Sequence, residues 1–385
     1  MNQFLSLLLA LIISSILISC GSNSSATTSP AFSWQVVGNS SPIPNIAFNG
    51  MAISSNGVVY AGGSADVNNG IVLSNTAALG NWQLVGNNYT PMPLYESVTE
   101  QIGSLAVSST NVIYAAVNTA YSTGTVLYSD PNSNAGAWQP INEYFKYGNV
   151  PDNGIINALA VDNTNTVYVA TAANYSISNN QISYKGDVYS TQVSNLYAPP
   201  KQIGLGSAPD HGVMNAVLIE SGIVYAASGG YTIASDGSSA YFGNVYSADS
   251  DGVEVWQQVG GGSTPDNGVA NSITLANDKN SIYVATSKGN VYKSAVESGG
   301  TWSTALGGDA VPDGSAINSI TIANNGTVFV ATTLGNVYSL TQNNHWQQIG
   351  GGTVPDNWSI NAIAVYGTQL YAATQGGHVY TIIFP

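Results

Sequence analysis

Residues 150–171 read VPDNGIINALAVDNTNTVYVAT, and residues 264–286 read TPDNGVANSITLANDKNSIYVAT. Two copies of one sentence in a single chain point to a repeat architecture, and the period decides the fold before any single motif does. Tryptophans mark the same period: WQVVG at Trp34, WQLVG at Trp82, WQPI at Trp138, WQQVGGG at Trp256, TWSTALGG at Trp302 and WQQIGGG at Trp346. A seventh copy, KQIG, places Lys201 in the Trp position. After each comes a loop and a short strand, NGMAIS from Asn49, GSLAVS from Gly103, NALAV from Asn157, NAVLI from Asn215, NSITL from Asn271, NSITI from Asn318 and NAIAV from Asn361. A second strand of the type TVYVAT and a third of the type GNVYS follow in every unit. All alternate β-branched or aromatic residues with small ones and are bounded by Gly, Asn or Asp, which is the pattern of strands.

Four short strands in each of seven units, spaced by roughly 43–63 residues, predict an all-β, seven-bladed β-propeller with four antiparallel strands per blade. The ends of the chain carry a matching offset. Trp34 opens the repeats as an outer strand without the three strands that precede it elsewhere, and Ser359–Ile382 close them as three strands without a Trp. Joining them completes the seventh blade and shuts the ring, leaving few free sheet edges.

Composition supports this and excludes much else. The chain has 385 residues, of which 44% are hydrophobic and only 7% charged, with 42 Gly and 23 Tyr. All six basic residues are lysines (Lys146, Lys185, Lys201, Lys279, Lys288, Lys293), and the net charge is −14. Phosphate recognition needs clustered positive charge, so nucleic acid is excluded as a partner.

The first twenty residues, MNQFLSLLLALIISSILISC, hold an apolar run from Phe4 to Ile18, short for a membrane span and suited to an export signal. The stretch ends in Leu17-Ile18-Ser19-Cys20, which resembles the lipobox of bacterial lipoproteins, although the n-region MNQ carries no Lys or Arg. That resemblance implies a signal peptide over 1–19, lipidation of Cys20, and a flexible tether over 20–32 ahead of a propeller over 33–385. The residue after the Cys is Gly21 rather than Asp, which in that family favours the outer membrane. Cys20 is the sole cysteine, so no disulfide forms within the chain.

The turns SDPNSNAGAW (129–138), SADSDGVEVW (247–256) and SAVESGGTW (294–302) resemble worn copies of the Asp-box of sialidase-like and sortilin-like propellers, with an Asp at the third position only at Asp249. The resemblance implies a structural hairpin and no activity. A sialidase site needs arginines for the substrate carboxylate, and this chain has none. His211, His345 and His378 fall in different blades, with His345 and His378 placed away from the channel mouth, so a His-based metal site or triad is not expected.

Five units carry Pro-Asp between the Trp strand and the inner strand, at Asp152, Asp210, Asp266, Asp313 and Asp356, each five residues before an inner-strand Asn. Two roles are open for them. Pro-Asp-Asn-Gly is good turn chemistry, and five carboxylates at one mouth, joined by Glu96 and Glu100 in the second unit, form an incomplete acidic ring that attracts cations or a basic partner. Calcium is conceivable, but no segment has the close Asp spacing of a dedicated loop, so no cofactor or metal is assigned. The inner-strand Asn residues are expected to bond neighbouring blades. Units two, three and four lengthen the loop between second and third strands and bring Tyr121, Tyr175, Tyr184, Tyr231, Tyr241 and Phe242 to the same side as the Asp residues. Exposed tyrosines on a rigid frame suit binding. The sequence therefore predicts a monomeric, non-enzymatic, lipid-anchored platform of the bacterial envelope that engages a protein, with a glycan-binding propeller as the alternative and a glycan-cleaving enzyme as the third reading.

Overall fold

The structure, a computed structural model, describes residues 33–38, 46–65, 69–76, 80–87, 100–119, 123–133, 136–146, 150–178, 181–193, 197–233, 239–297 and 299–384. The signal segment, Cys20, the tether over 20–32, Tyr121 and Glu96 lie outside the described residues.

Seven antiparallel sheets follow one another as blades of a propeller. Blades 1 to 4 begin with inner strands Ile46–Ile53, Glu100–Val107, Ile155–Val161 and Val213–Glu220, and blades 5 to 7 with Ala270–Leu275, Ile317–Ile322 and Ile360–Tyr366. In the last blade Gln35 pairs with Thr381 and Val36 with Tyr380, so the first described strand of the chain closes the ring as its outermost strand. Blade 5 keeps three regular strands. Its outer position is held by backbone bonds from Ser303 to Lys293 (2.8 Å) and from Leu306 to Val291 (2.9 Å). TWSTALG has one residue more between Trp and Gly than WQQIG, and the surplus residue breaks the ladder.

Alternating side chains on both faces of each sheet are apolar, so the core lies between blades rather than within one. Seven buried clusters result, each drawn from two neighbouring sheets; Phe329 and Val337 of blade 6, for example, pack with Ile360 and Leu370 of blade 7. A repeat that buries its faces only against neighbours cannot fold alone, which is why the sentence must recur.

The outer-strand Trp residues lock these layers. Trp82, Trp138, Trp302 and Trp346 donate their indole N–H to Val37, Val85, Gly262 and Leu306 carbonyls of the preceding blade at 2.9–3.0 Å. The glycine closing WQQVG is the seat for the next Trp: at Gly260, whose φ is +80°, an added Cβ would lie 2.1 Å from Trp302. Gly350 seats Trp34 in the same way across the closure. The register corrects one sequence alignment. Lys201 pairs with Ser190 as Gln347 does with Ser339 and Gln257 with Ser247. Pro200, not Lys201, therefore occupies the Trp place, and Lys201 stands where other blades have the first Gln. The seat facing that Pro is also altered, from Gly to Asn142, which is buried and donates to Thr191 Oγ1 at 2.8 Å. Seat and plug change together.

Gly260→Ala is expected to destabilise the fold by roughly 2–4 kcal/mol through overpacking and a left-handed φ. Gly262→Ala, with nothing within 4 Å of the added carbon, should cost under about 1 kcal/mol. Denaturant unfolding of the two variants measures the difference.

Candidate binding face

The Pro-Asp loops connect outer to inner strands, so they share one face with the turns between second and third strands. Each Asp does two things there. One oxygen accepts the N–H two residues on, from Gly154, Gly212, Gly268, Ser315 and Trp358 at 2.8–3.2 Å, which is the local turn. The other oxygen reaches the second and third strands of the same blade. Asp266 Oδ2 accepts from Thr286 Oγ1 (2.7 Å) and Asn290 Nδ2 (2.9 Å), and Asp313 Oδ2 from Thr332 Oγ1 (2.9 Å) and Asn336 Nδ2 (2.7 Å). Asp210 accepts from Ser228 Oγ and Asn244 Nδ2, Asp152 from Thr171 Oγ1, and Asp356 from Thr374 Oγ1. The outer strand joins through Gln258 and Gln348, which donate to Asn244 and Asn336 at 2.8 and 2.5 Å. One carboxylate thus ties a loop and two strands together, and through the amide a third.

Tyrosines of the repeated Val-Tyr pair complete the clasp. Burial first, and then the neighbouring carboxylate, push the phenols of Tyr338 and Tyr380 up to about 12 beside Asp313 and Asp356. They are neutral donors at any physiological pH. A carboxylate has about four lone-pair sites, and the chain's own donors take most of them. Turn and rim are therefore not equal roles in this geometry: the bonds seen are those of a fastener.

Blade 3 departs from the pattern. Where blades 4, 5 and 6 have Asn, it has Asp187, buried, with Tyr189 donating to Oδ2 at 3.1 Å and Gln202 to Oδ1 at 3.0 Å. Burial, followed after the opposing bonds by the charge of Asp187, raises the Asp152 pKa. Asp313 shows the opposite balance: burial alone would raise it, but bonds from Ser315, Asn336 and Thr332 outweigh that and lower it.

A second ring lies deeper. Every inner strand carries a register shift at its Asn, or at Gly103 in blade 2. Such a bulge frees the residue from the ladder. Asn157, Asn215, Asn271, Asn318 and Asn361 then donate to Met214, Ala270, Ile317, Ile360 and Phe48 carbonyls of the next blade at 2.8–3.1 Å. Asn118 of the second strand does the same to Ile156 O at 2.8 Å, filling the space above Gly103. The expected bonding between blades is what these residues do.

The extended loops rise from the same face. In blade 3 the second strand Thr166–Ser178 runs on to pair with an added strand, Gln181–Lys185. In blade 4 Ile223–Ile233 and Ser239–Asp249 pair to their tips, with Tyr231 opposite Tyr241. Tyr241 is 54% exposed; Tyr175, Tyr184 and Tyr231 are placed by their strands alone. Two other expectations change, and one residue outside the repeat pattern joins the face. Glu100 is buried at the start of an inner strand, opposite Thr119, and is not open to the mouth. His378 lies on the Pro-Asp face, its Nδ1 3.1 Å from Asp356 Oδ2, because it stands in the Asn position of the clasp. Trp358, the seventh Trp, belongs to no outer strand: it sits two residues after Asp356 and is 52% exposed. Its sequence signal was that it fell out of the period. His211 occupies a left-handed position in the blade 4 loop, and His345 caps a turn on the opposite face.

On that opposite face a pocket of about 880 Å³ opens between blades 3 and 4, lined by Asp162, Tyr168, Lys201, Glu220 and Asp251. Among the described residues no group of three or more His, Cys, Asp or Glu is arranged to hold a metal ion.

The family described as the DUF6242 beta propeller domain matches residues 249–383. No curated protein matches the chain. Among solved structures, a catalytically inactive virginiamycin B lyase from Staphylococcus aureus with quinupristin is similar with a TM-score of 0.62 at 10% identity, covering 92% of this chain and all of that one. YCF48 bound to D1 peptide gives 0.61 at 11%, covering 94% and 100%. The Dos1 propeller gives 0.56 at 13%, covering 92% and 94%. Identities this low carry the fold and nothing further.

Carbon-detected carboxyl titration should find Asp152 above and Asp313 below the ordinary aspartate value of about 3.9. The Asp313 clasp contributes fully above that value and is lost as pH falls through its lowered pKa, whereas protonated Asp152 contributes below it and is lost as pH rises through its raised pKa. Coincident titration of the two would contradict the clasp geometry.

Proposed function

We propose that this propeller is a non-enzymatic binding platform, lipid-anchored in the bacterial envelope through Cys20, that engages a protein partner on the face bearing the Pro-Asp loops. The observation that carries the reading is the pair of extended hairpins in blades 3 and 4. Blades 5 and 6 make the same connection with Ser287-Lys288-Gly289 and Thr333-Leu334-Gly335, so the fold does not need the extra length. Material added to one side of one face, on bases clamped by Asp152 and Asp210, is a presented surface. A rigid base also lowers the ordering cost of binding. The clasped Asp residues supply negative potential to that face even though their lone pairs are engaged, because field effects outlast hydrogen bonding. Likeness to YCF48 bound to D1 peptide supports the idea that such a ring can hold a polypeptide, by analogy of fold alone. A glycan-binding propeller is the second reading, favoured by Tyr241 at the hairpin surface.

The test replaces residues 172–186 and 229–243 each with Ser-Lys-Gly, the blade 5 connection, in the full chain extracted in detergent. The variant should melt cooperatively and lose a discrete envelope protein that the parent retains, with capture by the parent weakening as salt rises. Equal retention of that protein by both would sink the reading, and recovery of polysaccharide alone would favour the glycan alternative.

A further inference from the structure

The seven repeats act as controls for one another, and blade 7 departs from them at three positions that meet around Asp356. Where blades 3, 4 and 5 have Gly154, Gly212 and Gly268 two residues after the clasp Asp, blade 7 has Trp358. Where blades 5 and 6 have Lys288 and Leu334 in the short turn, blade 7 has Gly376. Where blades 4, 5 and 6 have Asn244, Asn290 and Asn336, blade 7 has His378. The three are one feature. A Cβ on Gly376 would lie 2.3 Å from Trp358 Cδ1 and 2.7 Å from Asp356 Oδ2, so any other residue would displace the indole. The backbone N–H of Trp358 donates to Asp356 Oδ1 at 3.2 Å, and Asp356 Oδ2 holds His378.

A large aromatic side chain has thus been added to the face, with room cleared for it, and still stands 52% exposed. An exposed indole adds no core to the blade; a fixed, half-exposed Trp is contact material. Its surroundings state what kind of contact. Asn357 accepts from Thr353 through Oδ1 at 2.5 Å, and its amide nitrogen has no partner among the described residues. The Gln375 side-chain amide and His378 Nε2 likewise have none. Around the Trp are therefore amide and imidazole donors and acceptors, and the Asp356 carboxylate is engaged by Thr374 and His378.

We infer that Trp358, with Asn357, Gln375 and His378, forms a subsite for a neutral pyranose ring of a glycan. Such a ring offers a flat C–H face with partial positive charge, which suits the negative face of an indole, and equatorial hydroxyls that exchange hydrogen bonds with amides and imidazole. A cationic ligand would instead want free carboxylates, which this corner lacks. The subsite lies on the face proposed above for binding, but in blade 7, and it does not depend on the hairpins of blades 3 and 4.

The test is titration calorimetry of the full chain in detergent with cello-, xylo-, manno-, malto- and chito-oligosaccharides. Trp358→Gly and His378→Asn return blade 7 to residues that other blades already use, so both fold. At least one oligosaccharide should bind the parent; Trp358→Gly should weaken it by about tenfold or more and His378→Asn by a few-fold, with melting temperatures near the parent's. Binding unchanged in Trp358→Gly, or no oligosaccharide bound up to about 10 mM, ten times a weak 1 mM Kd, overturns the inference. The hairpin-shortened variant should bind the same sugar as the parent, so failure here and failure of the hairpin reading are separable.

Discussion

The amide of an inner-strand Asn, pushed out of its ladder by a bulge and bonded to the next blade's carbonyl, is the contact on which the ring depends. A sheet edge cannot bond sideways to its neighbour, because its polar groups point along the sheet. The bulge solves this by releasing one residue per blade. Five such bonds are described, Asn118 of the second strand makes a sixth in blade 2, and the bond from Asn361 to Phe48 O closes the circle between the last blade and the first. At about 1 kcal/mol each they are together comparable with the net stability of an ordinary domain. Apolar layers supply most of the gross stabilisation, but they are alike at each junction; the amide fixes the stagger of one blade on the next.

Above that ring the Asp clasps fasten blades 3 to 7, each within itself. The two devices divide the labour: Asn couples neighbours, while Asp holds the loop, the second strand and the third strand of one blade, with Gln from the outer strand. Both use short polar side chains in a chain with 7% charged residues. That choice ties the Pro-Asp face, from which the hairpins and Trp358 stand, to the strands beneath it.

The repeats, the seven blades and the closure by the Trp34 strand were legible because a repeated interface writes a repeated residue. The role of the inner-strand Asn was legible for the same reason. Registers within a unit were not: Lys201 looked like the missing Trp because KQIG aligns by its tail, and only its pairing with Ser190 shows Pro200 in that place. Trp358 escaped notice, and His378 was placed on the wrong face, for a complementary reason. A search for what recurs discards what does not, and the significance of Trp358 rests on Gly376, eighteen positions away in sequence and in contact through the fold. The two roles open for the Asp residues could not be separated by spacing, since turn chemistry and an acidic rim use the same dipeptide; Thr286 and Asn290 around Asp266 show which bonds are made.

Calorimetric unfolding of a variant in which Asn215, Asn271 and Asn318 are all Ala tests the coupling most directly. These bonds join blades 4 through 7. Loss of about 3 kcal/mol should lower Tm by about 4 °C, and the van't Hoff enthalpy should fall below the calorimetric one as the blades cease to unfold as one unit. An unchanged Tm with the two enthalpies still equal would mean that apolar packing alone sets the ring, and that the bulged Asn is incidental to it.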